Sequence, residues 1–286
     1  MELIFLQYRE QLRLPRLHLH RLAALGGVII PEYSTASLAI LLGKIRADFG
    51  LPADEELTWR PRLGSALAAL GPELFELRRR MLAEAKACGI RSVVVIRDVG
   101  PNQSKQDIAA ESLKLFYDRV ILHLRAKAAM SPGGCRGLIC AGRPTSEKDG
   151  HWLAASLDLT RFGQDYVRPD LIALPIVTAP SAQLPQLQLA DLVVSATTAA
   201  VAGYASGQHL VPYLHDLMVT DACGKRAGFG IVLRPQRLNN LYLRVFSESR
   251  CVAHGGLEVP LPSRGLSTTD HWPYATDDGL DPRLRL

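Results

Sequence analysis

The residues best suited to chemistry lie on a stretch that is otherwise almost wholly apolar. Gln186–Tyr204 reads QLQLADLVVSATTAAVAGY, with no Lys, Arg or Glu, and its one charge is Asp191. Gln188, Asp191, Ser195 and Thr198 recur there at intervals of three and four, which on a helix draws a single polar stripe. A helix apolar on its other faces has no solvent side and must be wrapped by the rest of the domain. A carboxylate in that setting is costly unless a metal, a cation or hydrogen-bond donors meet it. Two readings of Asp191 are therefore open. It is a ligand in a site, or it caps a neighbouring element or pairs with a buried arginine.

Other chemistry-bearing residues are weaker. Asp98 falls just past the β-branched run Ser92–Ile96 and is a second candidate catalytic acid. Asp107, Glu111 and Asp118 lie on a long helical pattern, where Lys114 three residues from Glu111 makes a solvated, ion-paired face the simpler reading. Gly224–Gly230 (GKRAGFG) lacks the spacing of a phosphate-binding loop. His18 and His20 have no acids or cysteines clustered beside them as further metal ligands. No GxSxG elbow is present, so Ser/His/Asp hydrolysis has no anchor.

The chain has 286 residues, 48% hydrophobic, enough for one large domain or two small ones. Its longest apolar runs fall far short of the roughly 18 residues a membrane span needs, so no membrane association is expected. The first residues lack an apolar core with a small-residue cleavage site, and the five cysteines form no CxxC pair. Both observations point to a reduced, cytoplasmic protein. The net charge is +5, carried by 26 arginines and seven lysines. The positive balance leans toward anionic partners, and arginine suits bidentate phosphate contacts, although a GC-rich coding sequence would give the same bias.

The elements that must position these residues follow from periodicity and punctuation. Met1–Leu6 and Ala23–Ile30 read as strands. Between them, Gln7–Leu22 carries Arg9, Arg13, Arg16 and Arg21 and no acid after Glu10. It reads as an arginine-rich arm, a transit-like amphipathic segment, or a stretch with the texture of a shifted reading frame. Helices are expected over Tyr33–Phe49, Pro72–Cys88, Asp107–Ala128, Glu147–Leu159, Gln186–Tyr204 and Leu210–Met218. Strands are expected at Ser92–Ile96, Cys135–Cys140, Leu171–Val177 and Ile231–Leu233, with Leu241–Val245 a strand or strand–helix remnant. Asp54–Trp59 reads as a strand edge or turn, and Ser267–Leu286 as a surface tail. The sum is one α/β domain over residues 1–245 with a C-terminal extension over 246–286.

Three segments taken together, ALGGVIIPE (Ala24–Glu32), DFGLPADEELTW (Asp48–Trp59) and LQLADLVVSATTAAVAG (Leu187–Gly203), resemble the domain-of-unknown-function 3800 family of bacterial and phage-associated proteins. Gln188-Leu189-Ala190-Asp191 is the most specific element, and the resemblance runs from the first residues to about Val245. It implies a ribonuclease H-like central mixed sheet flanked by helices, and divalent-metal-dependent phosphodiester cleavage with Mg²⁺ or Mn²⁺. Such chemistry holds two ions roughly 3.5–4 Å apart on oxygen ligands and so needs several carboxylates. The resemblance makes Asp191 the metal ligand; no motif match carries over Asp98, which is kept as a further catalytic acid from its place after a strand, with Gln188, Ser195 and Arg143 as expected substrate contacts.

The sequence departs from the family pattern at two acids. Gln7 stands where the first strand should carry an aspartate, and Gly142, in Ala141-Gly142-Arg143-Pro144, stands where the second is expected. Arg9 beside the first position would also oppose a cation. Three expectations follow. One is an active nuclease using substitute acids such as Asp98, Glu56 or Asp118. Another, the one adopted, is a catalytically impaired pseudoenzyme that binds nucleic acid, DNA or RNA, through its arginines. The last is a scaffold subunit for a protein partner.

Overall fold

The computed structural model describes residues 1–12, 14–16, 19–101, 103–130, 134–143, 171–172, 176–252 and 257–262. The expected helix Glu147–Leu159, the tail Ser267–Leu286 and residues 173–175 of the expected strand Leu171–Val177 lie outside these residues.

Six strands form one mixed sheet in the order β5-β4-β1-β2-β3-β6. They are β1 (Glu2–Gln11), β2 (Leu22–Pro31), β3 (Arg91–Asp98), β4 (Gly137–Gly142), β5 (Val177–Ala179) and β6 (Ile231–Arg234). The first three make an antiparallel meander, with Glu2 opposite Pro31 and Leu22 opposite Asp98. β4 adds parallel to β1, β5 parallel to β4, and β6 parallel to β3. The chain is therefore mixed α/β, with helices on both faces of the sheet.

Alternation along the strands sends residues to two separate cores. On β1, Ile4 and Leu6 point to the core beneath α4 (Lys105–Ala129), whose Leu113, Phe116, Val120, Ile121 and Leu124 fill that face. Phe5 points to the opposite face, where α1 (Thr35–Asp48), α3 (Glu73–Ala87) and α5 (Pro185–Ala202) pack with Leu38, Leu42, Leu77 and Met81. Four short helices complete the series, α2 (Ala66–Ala69) before α5 and α6 (Ala205–Gln208), α7 (Val211–Leu217) and α8 (Asn240–Phe246) after it.

The stretch expected to be wrapped is wrapped. Every residue of α5 after Pro185 is buried. Pro185 opens it without sacrificing a hydrogen-bonded N–H, and Gly203, at φ 97°, closes it in the left-handed conformation that suits glycine. Burial of each side chain such as Leu187, Leu189 or Val194 contributes roughly 1.5–3 kcal/mol. Apolar contact, rather than its single charge, decides where this helix lies. No described helix is long and apolar enough to cross a membrane.

Two expectations change. β1 does not stop at Leu6 but runs to Gln11, so Gln7 and Arg9 are sheet residues rather than part of an arm. Arg16, in the same arginine-rich segment, is 1% exposed. Its Nε donates to the Val201 carbonyl at 2.9 Å and its backbone N–H to that of Ala202 at 3.0 Å. These are the carbonyls a helix end leaves unpaired, so Arg16 caps α5. Leu241–Val245 lies within the helix α8, with Leu241, Tyr242 and Phe246 facing the core. Beyond it, β7 (Arg250–Val252) and β8 (Glu258–Pro260) form a two-stranded ribbon, and Cys251 joins the α5-side core.

Candidate functional site

β1 and α5 lie face to face, and their polar residues meet. Gln7, Arg9 and Gln11 share the alternate positions that continue from Phe5 toward α5. The Arg9 guanidinium donates from Nε to Asp191 Oδ1 at 2.5 Å. Ser195 Oγ, one turn along α5, donates to the same oxygen at 2.9 Å. Asp191 Oδ2 accepts from Thr58 Oγ1 and from the Trp59 backbone N–H, each at 3.1 Å. Four donors thus surround a carboxylate that is 3% exposed. A carboxylate has about four lone-pair sites, so the acceptor capacity of Asp191 is filled by the protein itself.

The electrostatics agree with that geometry. Burial alone would raise the Asp191 carboxyl, but the Arg9 charge and its hydrogen bond, with those from Trp59 and Ser195, hold it below the ordinary carboxylate range. Arg78, on α3, is pushed down to about 10 by burial, a shift that Asp191 partly offsets. Its guanidinium donates to the Trp59 carbonyl at 2.5 Å and lies 4.0 Å from the Trp59 ring centroid. Cationic groups therefore hold both the acid and the loop that covers it.

Gln188 performs a similar task one turn earlier. Its Oε1 accepts from the Leu57 N–H at 3.1 Å and from Arg46 at 3.3 Å, while its Nε2 donates to the Ser181 carbonyl at 3.1 Å. Burial lowers the Arg46 guanidinium pKa, with Asp54 and Glu55 opposing. Together Gln188 and Asp191 staple the loop between α1 and α2 onto α5.

The two positions expected to carry acids also meet. Gln7, 5% exposed, donates from Nε2 to Ser181 Oγ at 3.0 Å and to the Leu187 carbonyl at 3.3 Å. A Cβ built on Gly142 would lie 2.7 Å from both Nε2 and Oε1 of Gln7. The amide occupies the space into which a side chain at 142 would grow.

The remaining sequence candidates lie apart. The Asp98 carboxylate accepts from Arg237 at 2.6 Å and from the His20 backbone N–H at 2.9 Å, with His20 Nδ1 at 3.5 Å. Among the described residues it shares no partner with Asp191. Arg143 is exposed beyond the end of β4, where its backbone N–H bonds to Ala179. Asp118 pairs with Arg119 on α4. Of the predicted site residues, Gln188, Asp191, Ser195 and Thr198 form one stripe, and Asp98 and Arg143 do not join it.

Beside the stripe opens a cavity of about 250 Å³, lined among others by Arg9, Thr58, Trp59, Arg60, Asp191 and Thr198. What sequence reasoning missed is that Arg9 pairs directly with Asp191 and that the Thr58–Arg60 loop closes over it. The usable signal was that Phe5, Gln7, Arg9 and Gln11 keep to alternate positions, which extends the strand.

These donors do not fit a two-metal centre. The one acid of the stripe is saturated by protein donors, and its expected companions are an amide and a glycine. Among the described residues, the His, Cys, Asp and Glu side chains that come close enough to share an ion are Asp221, Cys223 and Glu258. Lys225 and Arg250 already pair with Glu258, and Asp191 is not among them. No family model matches the chain, and neither a curated protein nor a solved structure matches it.

Proposed function

We propose that this chain is a ribonuclease H-like protein that binds nucleic acid without cutting it. The fold half of the proposal is supported by strand order and direction. An antiparallel β1–β2–β3 meander is extended past β1 by parallel β4 and β5, and a helix carrying an acid follows β5. The functional half rests on one observation. All the acceptor capacity of Asp191 is taken up by Arg9, Ser195, Thr58 and Trp59. A divalent cation would have to displace a guanidinium at 2.5 Å, and the other acid lining the cavity, Glu10, is already paired with Arg21 and Tyr8. The net charge of +5 and the arginines along the cavity favour a phosphate backbone as partner.

The test has two arms. Incubation with Mg²⁺ or Mn²⁺ and labelled single- and double-stranded DNA and RNA should give no product. Metal-dependent cleavage that disappears in Asp191→Ala would establish instead a phosphodiesterase using substitute carboxylates. In the second arm, binding should weaken steeply as salt rises. A chain that binds no nucleic acid at low salt but co-purifies with a protein would be a scaffold.

A further inference from the structure

We infer that the cavity beside Asp191 takes one unpaired nucleotide of a single strand, its base against the Trp59 indole and its phosphate on Arg60. This rests on the nucleic-acid reading above and narrows it to a strand type. The cavity volume of about 250 Å³ lies just below the range of roughly 300–1,000 Å³ typical of small-ligand pockets, so it admits a group of mononucleotide size and no double helix. Its wall supplies the two components that single-strand binding uses, an aromatic ring and cationic side chains. The ring is braced, because Arg78 lies 4.0 Å from its centroid and donates to its backbone carbonyl. A ring fixed in this way gives up little freedom when a base packs on it.

The charge balance of the cavity also favours an anion. Its two acids are already matched, Asp191 by Arg9 and Glu10 by Arg21 at 3.7 Å and Tyr8 at 2.8 Å. Arg60 is exposed and bonds to the neutral Gln11 amide, and neither it nor Arg78 pairs with a carboxylate among the described residues. Thr198, Thr58 and Gln11 also line the opening, their side chains donating to Val194, Asp191 and Tyr204. A phosphate with an attached base satisfies both the guanidinium and the ring, whereas inorganic phosphate satisfies only the first.

The experiment compares a short fluorescent single strand with the blunt duplex of the same sequence by anisotropy at fixed low salt. The single strand should bind at least about 10-fold tighter. Trp59→Ala should weaken single-strand binding by about 5- to 150-fold, the loss expected for one stacked base, and leave duplex binding within about 2-fold. Trp59→Phe, which keeps a ring, should retain most of the affinity, and this separates stacking from loss of the loop. Arg60→Gln, at an exposed site, should weaken the single strand as well. Equal binding of both substrates, unchanged by Trp59→Ala, would overturn the single-nucleotide inference and leave the nucleic-acid reading intact. No binding of either substrate to the unmodified protein would remove both.

Discussion

At the scale of single residues, the contest is between a metal ligand and an ion pair, and magnitudes decide it. Leaving a buried carboxylate unpaired costs several kcal/mol. Arg9, Ser195, Thr58 and Trp59 together remove that penalty with ordinary hydrogen bonds. Asp191→Asn keeps the shape but turns one acceptor into a donor that faces another donor. Arg9 is 42% exposed and therefore partly screened. The expected loss is about 2–3 kcal/mol in urea unfolding, toward the lower end of values for broken buried pairs. The Gln7–Gly142 contact makes a sharper prediction because it is pairwise. Gly142→Ala forces the Gln7 amide off Ser181 and Leu187 and should destabilise by about 1–2 kcal/mol. In a Gln7→Ala background the same change should cost close to nothing. A double-mutant cycle with no coupling would show that the two positions are not in contact.

At the scale of elements, α5 is a buried rod to which the loop following α1 is stapled at two points. Gln188 holds the Leu57 amide and Asp191 holds the Trp59 amide. Gln188→Ala should therefore speed hydrogen exchange at Leu57 by about 10-fold or more, as a buried hydrogen bond worth about 1–1.5 kcal/mol is lost, while Trp59 stays protected by Asp191. Equal acceleration at both amides would mean that the loop opens as one unit. How much of this was legible in sequence follows from the same elements. The wrapped helix was legible because an apolar run without a polar face admits one placement. That Gln7 and Gly142 sit at the two places where acids were expected came from the resemblance, and their contact shows only in the structure. The partner of Asp191 was not legible either. β1 continues past Leu6 with Tyr8, Arg9 and Glu10, whose charges read as surface, and only the far side of the sheet explains Arg9. Likewise Leu241–Val245 alternates like a strand over too short a run to separate period 2 from period 3.6. Packing of Tyr242 and Phe246 settles it as helix.

At the scale of the whole molecule, two ionisable groups, one half-buried and one buried, set opposite ends of an acid response. His123, on α4, has a buried Nε2 with no hydrogen-bond partner among the described residues, and its pKa is lowered to about 4 by burial, with Lys127 and Arg91 adding to the shift. The unfolded chain takes up that proton near pH 6.5. Between those values the unfolded state binds more protons than the folded one, so stability is fully present above about pH 6.5 and declines as pH falls toward 4. The expected loss from pH 7 to pH 5 is about 2 kcal/mol, from linkage at that one site. Asp191 acts lower on the scale. Its folded carboxyl is held below the roughly 3.9 of an unfolded aspartate, so its contribution is present above that value and fades only below it. Urea unfolding at pH 7 and pH 5 separates the two groups. His123→Gln should abolish most of the difference between those pH values, whereas Asp191→Asn should lower stability at both and leave the difference unchanged. A slope that survives His123→Gln would move the origin of acid sensitivity to another group and show that the proton reaches His123 in the folded protein without penalty.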